Sequence, residues 1–214
     1  MSDRFSVTPL HELDGYADEG RPLWHMIRSS LGIEAFGINA WTATADGQEI
    51  IGEHDEIGQG AGGHEELYVV MAGAAQFTLD GEIVEAPAGT VVHVPSPSVR
   101  RSAVGAAGTT ILVIGASRGE AFEVSPWERS AEALRFWPTG DWERAIAVLL
   151  RQHVEHPENA GVLYNLACAE ARFGRTDEAL EHLRQAIERE PRFLDNAKQD
   201  TDLDSIRGDQ RFPV

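Results

Sequence analysis

Short runs in which hydrophobic and polar residues alternate fill the first half of the chain, and this pattern predicts β-strands. Turn residues such as Asp46-Gly47 and Asp80-Gly81 separate the runs. Because no helical segment intervenes, the pattern favours an antiparallel barrel or sandwich. The predicted strands span residues 35–44, 48–56, 65–71, 74–79, 82–86, 90–94, 100–104 and 109–114, after a short helix at 22–30.

Beyond residue 120 the pattern changes to Ala, Leu, Glu and Arg at helical spacing, which predicts a domain boundary there. Shifting the sequence by 34 residues places like residues on one another: Gly140 on Gly174, Ala145 on Ala179, Leu149 on Leu183 and Pro157 on Pro191. A period of this length is typical of stacked helix-turn-helix repeats.

The fullest copy, residues 160–191, resembles a tetratricopeptide repeat through Asn165-Leu166-Ala167, Gly174, Ala179 and Pro191. The preceding copy, residues 126–157, has Gln152 where the repeat prefers a small residue. The resemblance implies two repeats followed by a polar cap. We therefore predict three parts: an arm with a short helix at 1–35, an all-β barrel at 36–120, and an all-α helical-repeat domain with a capping helix at 121–214.

The composition adds a strong acidic charge, with 18 Lys and Arg against 35 Asp and Glu, a net −17. Such a surface repels phosphate backbones and anionic lipids, which argues against nucleic-acid or membrane-surface binding. The single cysteine, Cys168, forms no internal disulfide. No signal peptide is recognised, and no run approaches the roughly 20 apolar residues of a membrane span. We therefore expect a soluble, cytoplasmic protein.

Two spaced motifs in the β-rich half carry a second resemblance. Six residues separate Glu66 from Gly73, and five separate Gly89 from Pro95. This spacing resembles the cupin family over about residues 36–116. The resemblance implies a small double-stranded β-barrel, a ligand pocket inside it, and a homodimer formed through barrel strands.

The expected metal ligands of this family are displaced or replaced. Metal-binding cupins typically offer a His-x-His pair a few residues before the glutamate and another histidine after the second-motif proline. Here the upstream positions are residues 60–63, which are Gly-Ala-Gly-Gly, and Arg100 occupies the position of the last histidine. Two interpretations remain open.

In the first interpretation an altered metal site survives, with the glycine-rich segment 58–63 as an insertion. Period-two alternation puts His54 and Glu56 on one face of their strand, and His64 and Glu66 on one face of the next. Two imidazoles and two carboxylates form a set suited to Fe, Mn, Ni or Zn. His93, on the second-motif strand, is a further candidate ligand whose direction the sequence does not specify.

In the second interpretation the metal site is lost, and Arg100 or Arg101 reaches the pocket instead. A guanidinium inside a barrel requires a carboxylate partner, such as Glu66, or an anionic ligand. Candidate residues for the pocket wall are aromatic: Trp41, Tyr68 and Phe77.

Two functions follow. The first is a protein that binds a small metabolite in the barrel, an anionic one where an arginine anchors it, with repeats that hold a protein partner or pack as a structural extension. The second is a metal-dependent cupin enzyme of dioxygenase, isomerase or lyase type, which uses His54, His64 and Glu66 while Arg100 orients a substrate carboxylate. The displaced histidines favour the binding function.

Overall fold

The computed structural model describes residues 6–18, 20–57 and 61–213. The chain divides into two units, with the boundary between Val124 and Ser125. We call the first the β unit and the second the helical unit. Residues 1–5 and 19 of the predicted arm, and residues 58–60 of the predicted insertion, lie outside the described residues.

Eight strands of the β unit coincide with the eight predicted strands, with every end within two residues of its predicted position. Two further short strands and a short helix precede them. The elements are β1 Gly15–Tyr16, β2 Leu23–His25, α1 Ile27–Leu31, β3 Gly37–Thr42, β4 Gln48–His54, β5 Glu65–Ala72, β6 Ala74–Leu79, β7 Glu82–Pro87, β8 Val91–Val94, β9 Arg101–Gly105 and β10 Thr110–Ala116.

The helix predicted at 22–30 is wrong in its first half. Residues Leu23–His25 form β2, which pairs with β3, and only Ile27–Leu31 is helical. The paired residues Trp24 and Trp41 stack with ring centroids 6.3 Å apart. This packing against β3 outweighs the local preference for helix.

All pairings between the described strands are antiparallel, and they form two sheets. The six-stranded sheet has the order β1-β2-β3-β10-β5-β8, and the four-stranded sheet has the order β4-β9-β6-β7. Side chains from both sheets, including Ile50, Val70, Phe77 and Ile111, form one buried core. The two sheets are hydrogen-bonded separately, so the described strands form two facing sheets where the sequence predicted a closed barrel.

Strand β5 alternates between its two faces from Glu65 to Val70. Glu66, Tyr68 and Val70 are buried, whereas Glu65 and Met71 belong to the opposite face and are more exposed. The alternation follows from the period of two residues in a strand. The strand therefore directs Glu66 and Tyr68 towards the facing sheet.

Gly73 ends β5 with a positive φ of 70°. A Cβ atom at this position would lie 2.9 Å from the Cα of Thr109, closer than such contacts occur. Both the backbone angle and the close approach require glycine here. This explains the glycine of the first motif in terms of the turn between β5 and β6.

The second unit is helical, as predicted. Its elements are α2 Pro126–Ala131, a 3-10 helix Glu132–Thr139, α3 Trp142–Glu155, α4 Ala160–Phe173, α5 Thr176–Arg189, α6 Phe193–Gln199 and a 3-10 helix Thr201–Leu203. No helix among the described residues combines the length and the apolar character needed to cross a bilayer.

Positions 34 residues apart have like surroundings in the helical unit. Gly140 and Gly174 each end a helical segment with positive φ, at 64° and 88°. The paired alanines and leucines of the period are fully buried. Gln152 is also buried, and its amide donates to Glu132 at 3.1 Å. The tetratricopeptide-like nature of these helices stays a prediction.

Candidate functional site

Charged and imidazole side chains meet at one end of the two facing sheets. His54 ends β4 and Glu56 follows it, while Glu66 is the second residue of β5. Arg101 begins β9 and pairs in register with His54. Since β5 belongs to one sheet and β4 and β9 to the other, the cluster joins the two sheets.

Glu66 and Arg101 form a buried ion pair at the centre of this cluster. The Arg101 Nη2 and Nε groups donate to Glu66 Oε2 at 2.6 and 3.0 Å. The Tyr68 hydroxyl donates to the same oxygen. Three donors on one carboxylate oxygen hold it in a fixed position.

These contacts change the protonation equilibria of all three residues. Burial raises the pKa of Glu66, but the nearby His54 imidazole and the hydrogen bonds from Tyr68 and Arg101 outweigh burial and lower the pKa to about 2. Burial lowers the pKa of Arg101, and the Glu66 carboxylate more than offsets this. Burial and the Glu66 charge raise the pKa of Tyr68. The centre therefore contains an ionised carboxylate, an ionised guanidinium and a neutral phenol at neutral pH.

His54 is oriented by its own strand. Its Nδ1 group lies 2.7 Å from the Gly52 carbonyl oxygen, to which it donates. Its Nε2 atom lies 3.8 Å from Glu66 Oε2 and 4.0 Å from Glu56 Oε1. Burial lowers the pKa of His54, but the Glu66 carboxylate and the Gly52 carbonyl outweigh burial and raise it.

Glu56 connects the cluster to the chain segment that precedes β5. Its Oε2 atom accepts hydrogen bonds from the backbone N–H groups of Gly62, at 2.8 Å, and His64, at 3.4 Å. The His64 Nδ1 atom lies 3.9 Å from the same oxygen. A Cβ atom on Gly62 would lie 2.3 Å from the His64 ring, so the ring packs directly over this glycine.

The structure thus brings together three of the five predicted metal ligands, His54, Glu56 and Glu66, and places a fourth, His64, beside Glu56. It places the fifth, His93, on the outer face of β8, where its Nε2 group donates to Glu65 at 2.6 Å. The reason is the alternation of β8, which buries Val92 and Val94 and exposes His93.

Of the four predicted ligand-binding residues, Tyr68 lies in the cluster. The side chain of Arg100 is 61% exposed and pairs with Glu53 at 2.6 Å, so the partner of Glu66 is Arg101 and not Arg100. Phe77 is fully buried and meets the Tyr68 ring edge-on at 5.6 Å. Trp41 packs against the same core and stacks on Trp24.

Sequence reasoning left open whether Arg100 or Arg101 faces inwards, and it named Arg100 as the ligand-binding residue; the structure places Arg101 there. Its position can be recognised from the alternation of β9, in which the small residue Ala103 is buried. Arg101 lies two positions before Ala103 and therefore faces the same side. Arg100, one position earlier, faces the opposite side.

The ion pair predicts a specific pH dependence of stability. The folded protein favours ionised Glu66. The contribution of this carboxylate to the free energy of unfolding is therefore complete above about pH 4.5 and is lost as the pH falls towards 2. We expect the melting temperature of the β unit to fall more steeply in the wild type than in Glu66→Gln between about pH 5 and pH 3. Differential scanning calorimetry measures both, and parallel declines would contradict the prediction.

No protein-family model and no curated protein matches this chain. Solved structures of cupin proteins do match. A cupin protein from Bacteroides fragilis is 17% identical, covers 58% of this chain and 93% of its own, and has a TM-score of 0.41. KdgF from Halomonas sp. is 16% identical, with coverages of 54% and 96% and a TM-score of 0.41.

A sugar phosphate isomerase from a cupin superfamily, from Silicibacter pomeroyi, is 18% identical. The match covers 51% of this chain and 74% of the isomerase chain, with a TM-score of 0.41. Identities this low leave the function to be argued from the side chains of the site.

Proposed function

We propose that the β unit is a cupin-type domain that binds a small molecule, and that His54, Glu56 and Glu66 hold a divalent transition metal in its site. One observation carries the proposal. The Nδ1 group of His54 is bound to the Gly52 carbonyl, which leaves Nε2 as the ligand atom and directs it towards both carboxylates.

The spacing of these atoms supports a metal. At 3.8 and 4.0 Å, His54 Nε2 is too far from either carboxylate for a hydrogen bond. One ligand atom from each of the three residues lies within 4.8 Å of the others. Two ligands about 2.1 Å from one ion lie roughly 3 to 4 Å apart, so a small inward movement would complete the coordination.

The chemistry of the donor set also fits. An imidazole nitrogen with carboxylate oxygens suits Fe, Mn, Ni or Zn. His64 is a further candidate ligand, since its Nδ1 atom lies 3.9 Å from Glu56 Oε2. When bound, such a metal would supply a Lewis acid to an oxygen-containing small molecule.

The chain's own residues prepare the site. Arg101 and Tyr68 keep Glu66 ionised at neutral pH, because they lower its pKa to about 2 against the effect of burial. His54 is the accessible member of the cluster, with 35% of its side chain exposed against 13% for Glu56 and 11% for Glu66. A small molecule therefore approaches the cluster at His54.

Metal content tests this proposal. We expect the full-length protein, purified without chelator or reloaded with Fe, Mn, Ni or Zn, to hold about one equivalent per chain. His54→Ala should hold less than about a tenth of an equivalent, because it removes the nitrogen ligand. Inductively coupled plasma mass spectrometry measures the metal, and circular dichroism verifies the fold.

The matched control is His93→Ala, which removes an exposed imidazole on the outer face. It should leave the metal content unchanged. Equal losses in the two variants would place the metal elsewhere, and a wild type that takes up none of the four metals would contradict the proposed metal.

A metal-free binding site is the second candidate, and the Glu66–Arg101 ion pair favours it. That pair already neutralises one carboxylate, with Nη2 2.6 Å from Oε2. Glu56, His54 and His64 would then bind a neutral or cationic small molecule by hydrogen bonds. Absence of metal together with a ligand-induced thermal shift that Glu56→Gln abolishes would support this candidate.

A further inference from the structure

Arg101 is almost completely engaged by the protein itself. Its side chain is 0% exposed. Two of its nitrogens donate to Glu66, and Nε also lies 3.3 Å from the Tyr68 hydroxyl oxygen. Its third nitrogen, Nη1, donates to the carbonyl oxygens of Val99 at 2.7 Å and Pro97 at 3.3 Å. Since a guanidinium has five N–H groups, at most one is left for a ligand.

The guanidinium also lies beside the atoms that would hold a cation. His54 and Arg101 are paired residues on neighbouring strands, so their side chains lie close together on one face. The Glu66 oxygen that faces His54 Nε2 at 3.8 Å is the same oxygen that accepts the guanidinium. The carbonyl groups of Val99 and Pro97 bind Nη1 of Arg101, which fixes the position of the positive charge.

The charge balance of the cluster follows from this arrangement. Glu56 and Glu66 supply two negative charges, and Arg101 neutralises one of them. Without the guanidinium, the cluster would attract a divalent cation more strongly. Both oxygens of Glu66 would then be available to it.

We propose that Arg101 is a positioning residue that sets the cation affinity of this site. It fixes one oxygen of Glu66 with two N–H groups and cancels one carboxylate charge, so that a divalent cation is held less tightly than it would be without the guanidinium. This inference rests on the proposed function, because it concerns the metal that His54, Glu56 and Glu66 would hold.

The test uses Co²⁺ as the probe, because its visible absorption reports the number and geometry of its ligands. The full-length wild type is compared with Arg101→Gln, which is neutral but keeps a hydrogen-bond donor, and with Arg101→Lys, which keeps the charge. Arg100→Gln is the matched control, since Arg100 is exposed and pairs with Glu53.

We expect Arg101→Gln to bind Co²⁺ at least about tenfold more tightly than the wild type, with a changed absorption spectrum, and Arg101→Lys to stay within about threefold. Arg100→Gln should match the wild type. Equal weakening in both Arg101 variants, or no tightening in Arg101→Gln, would overturn the inference and leave the proposed metal site in place.

The remaining outcomes also discriminate. Binding to Arg101→Gln but not to the wild type would support the inference and contradict the metal in the proposed function. Binding to neither would overturn both. If Arg101→Gln is unfolded without metal, recovery of its near-ultraviolet circular dichroism in Co²⁺ would support the inference, and failure to recover would overturn it.

Discussion

Replacement of Glu66 by alanine should lower the free energy of unfolding of the β unit by about 3–5 kcal/mol. The substitution leaves the Arg101 guanidinium, which has no exposed surface, without a carboxylate. It also removes the acceptor of the buried Tyr68 hydroxyl. The two-unit chain is not expected to unfold in one step, so peptide-resolved hydrogen exchange of the full-length protein is the appropriate measurement.

In that experiment β5 peptides report on the β unit and α4 peptides on the helical unit. We expect faster hydrogen exchange in β4, β5 and β9 and an unchanged exchange rate in α4. The neighbouring substitution Glu65→Ala is the control, because Glu65 pairs with His93 and Arg118 on the outer face. An effect of Glu65→Ala as large as that of Glu66→Ala would show that the buried pair is not a principal source of stability.

Leu149→Ala and Leu183→Ala should each lower the free energy of unfolding of the helical unit by about 2–5 kcal/mol. Both side chains are 0% exposed, and the two positions are 34 residues apart. Each belongs to a different buried cluster, so each substitution leaves its own cavity. Urea unfolding followed by circular dichroism at the helical wavelength measures the loss.

Leu150→Ala is the matched control, since Leu150 follows Leu149 in the same helix and is 39% exposed. It should shift the urea midpoint far less than either core substitution. If only one of the two core positions proves sensitive, the 34-residue period does not mark equivalent places in the helical unit.

Most of the β unit could be predicted from its sequence because strand alternation and turn residues are local signals. The facing of Glu66 and Tyr68 is one consequence, since two positions on one strand share a side. The contact of His54 with Glu66 is different, because it joins residues on two sheets. The sequence alone indicated that contact only through the cupin resemblance.

The choice between Arg100 and Arg101 shows where sequence reasoning ends. Adjacent residues on a strand face opposite sides. An error of one residue in the predicted alternation of β9 therefore assigns the inward position to the exposed Arg100 instead of the buried Arg101. The strand begins at Arg101, one residue later than predicted. The arginine of the second interpretation and three candidate ligands of the first, His54, Glu56 and Glu66, occupy the same cluster.

Both residues of the buried pair have a neighbour of like charge in the chain, at Glu65-Glu66 and at Arg100-Arg101. If both strands slipped by one residue, Glu65 and Arg100 would face inwards and could still form an ion pair. Hydrophobicity discriminates little against this competing register, because Leu67 and Val69 on the outer face of β5 are also apolar.

The features that do discriminate are the Tyr68 hydroxyl, which requires Glu66 beside it, and the turn at Gly73, where the backbone has positive φ and lies against Thr109. A slipped strand would place Ala72 or Ala74 in that turn, at a cost in backbone strain and steric overlap. Gly73, seven positions away from Glu66, therefore disfavours a strand register that charge and hydrophobicity alone would allow. Correct folding of the site depends on this glycine.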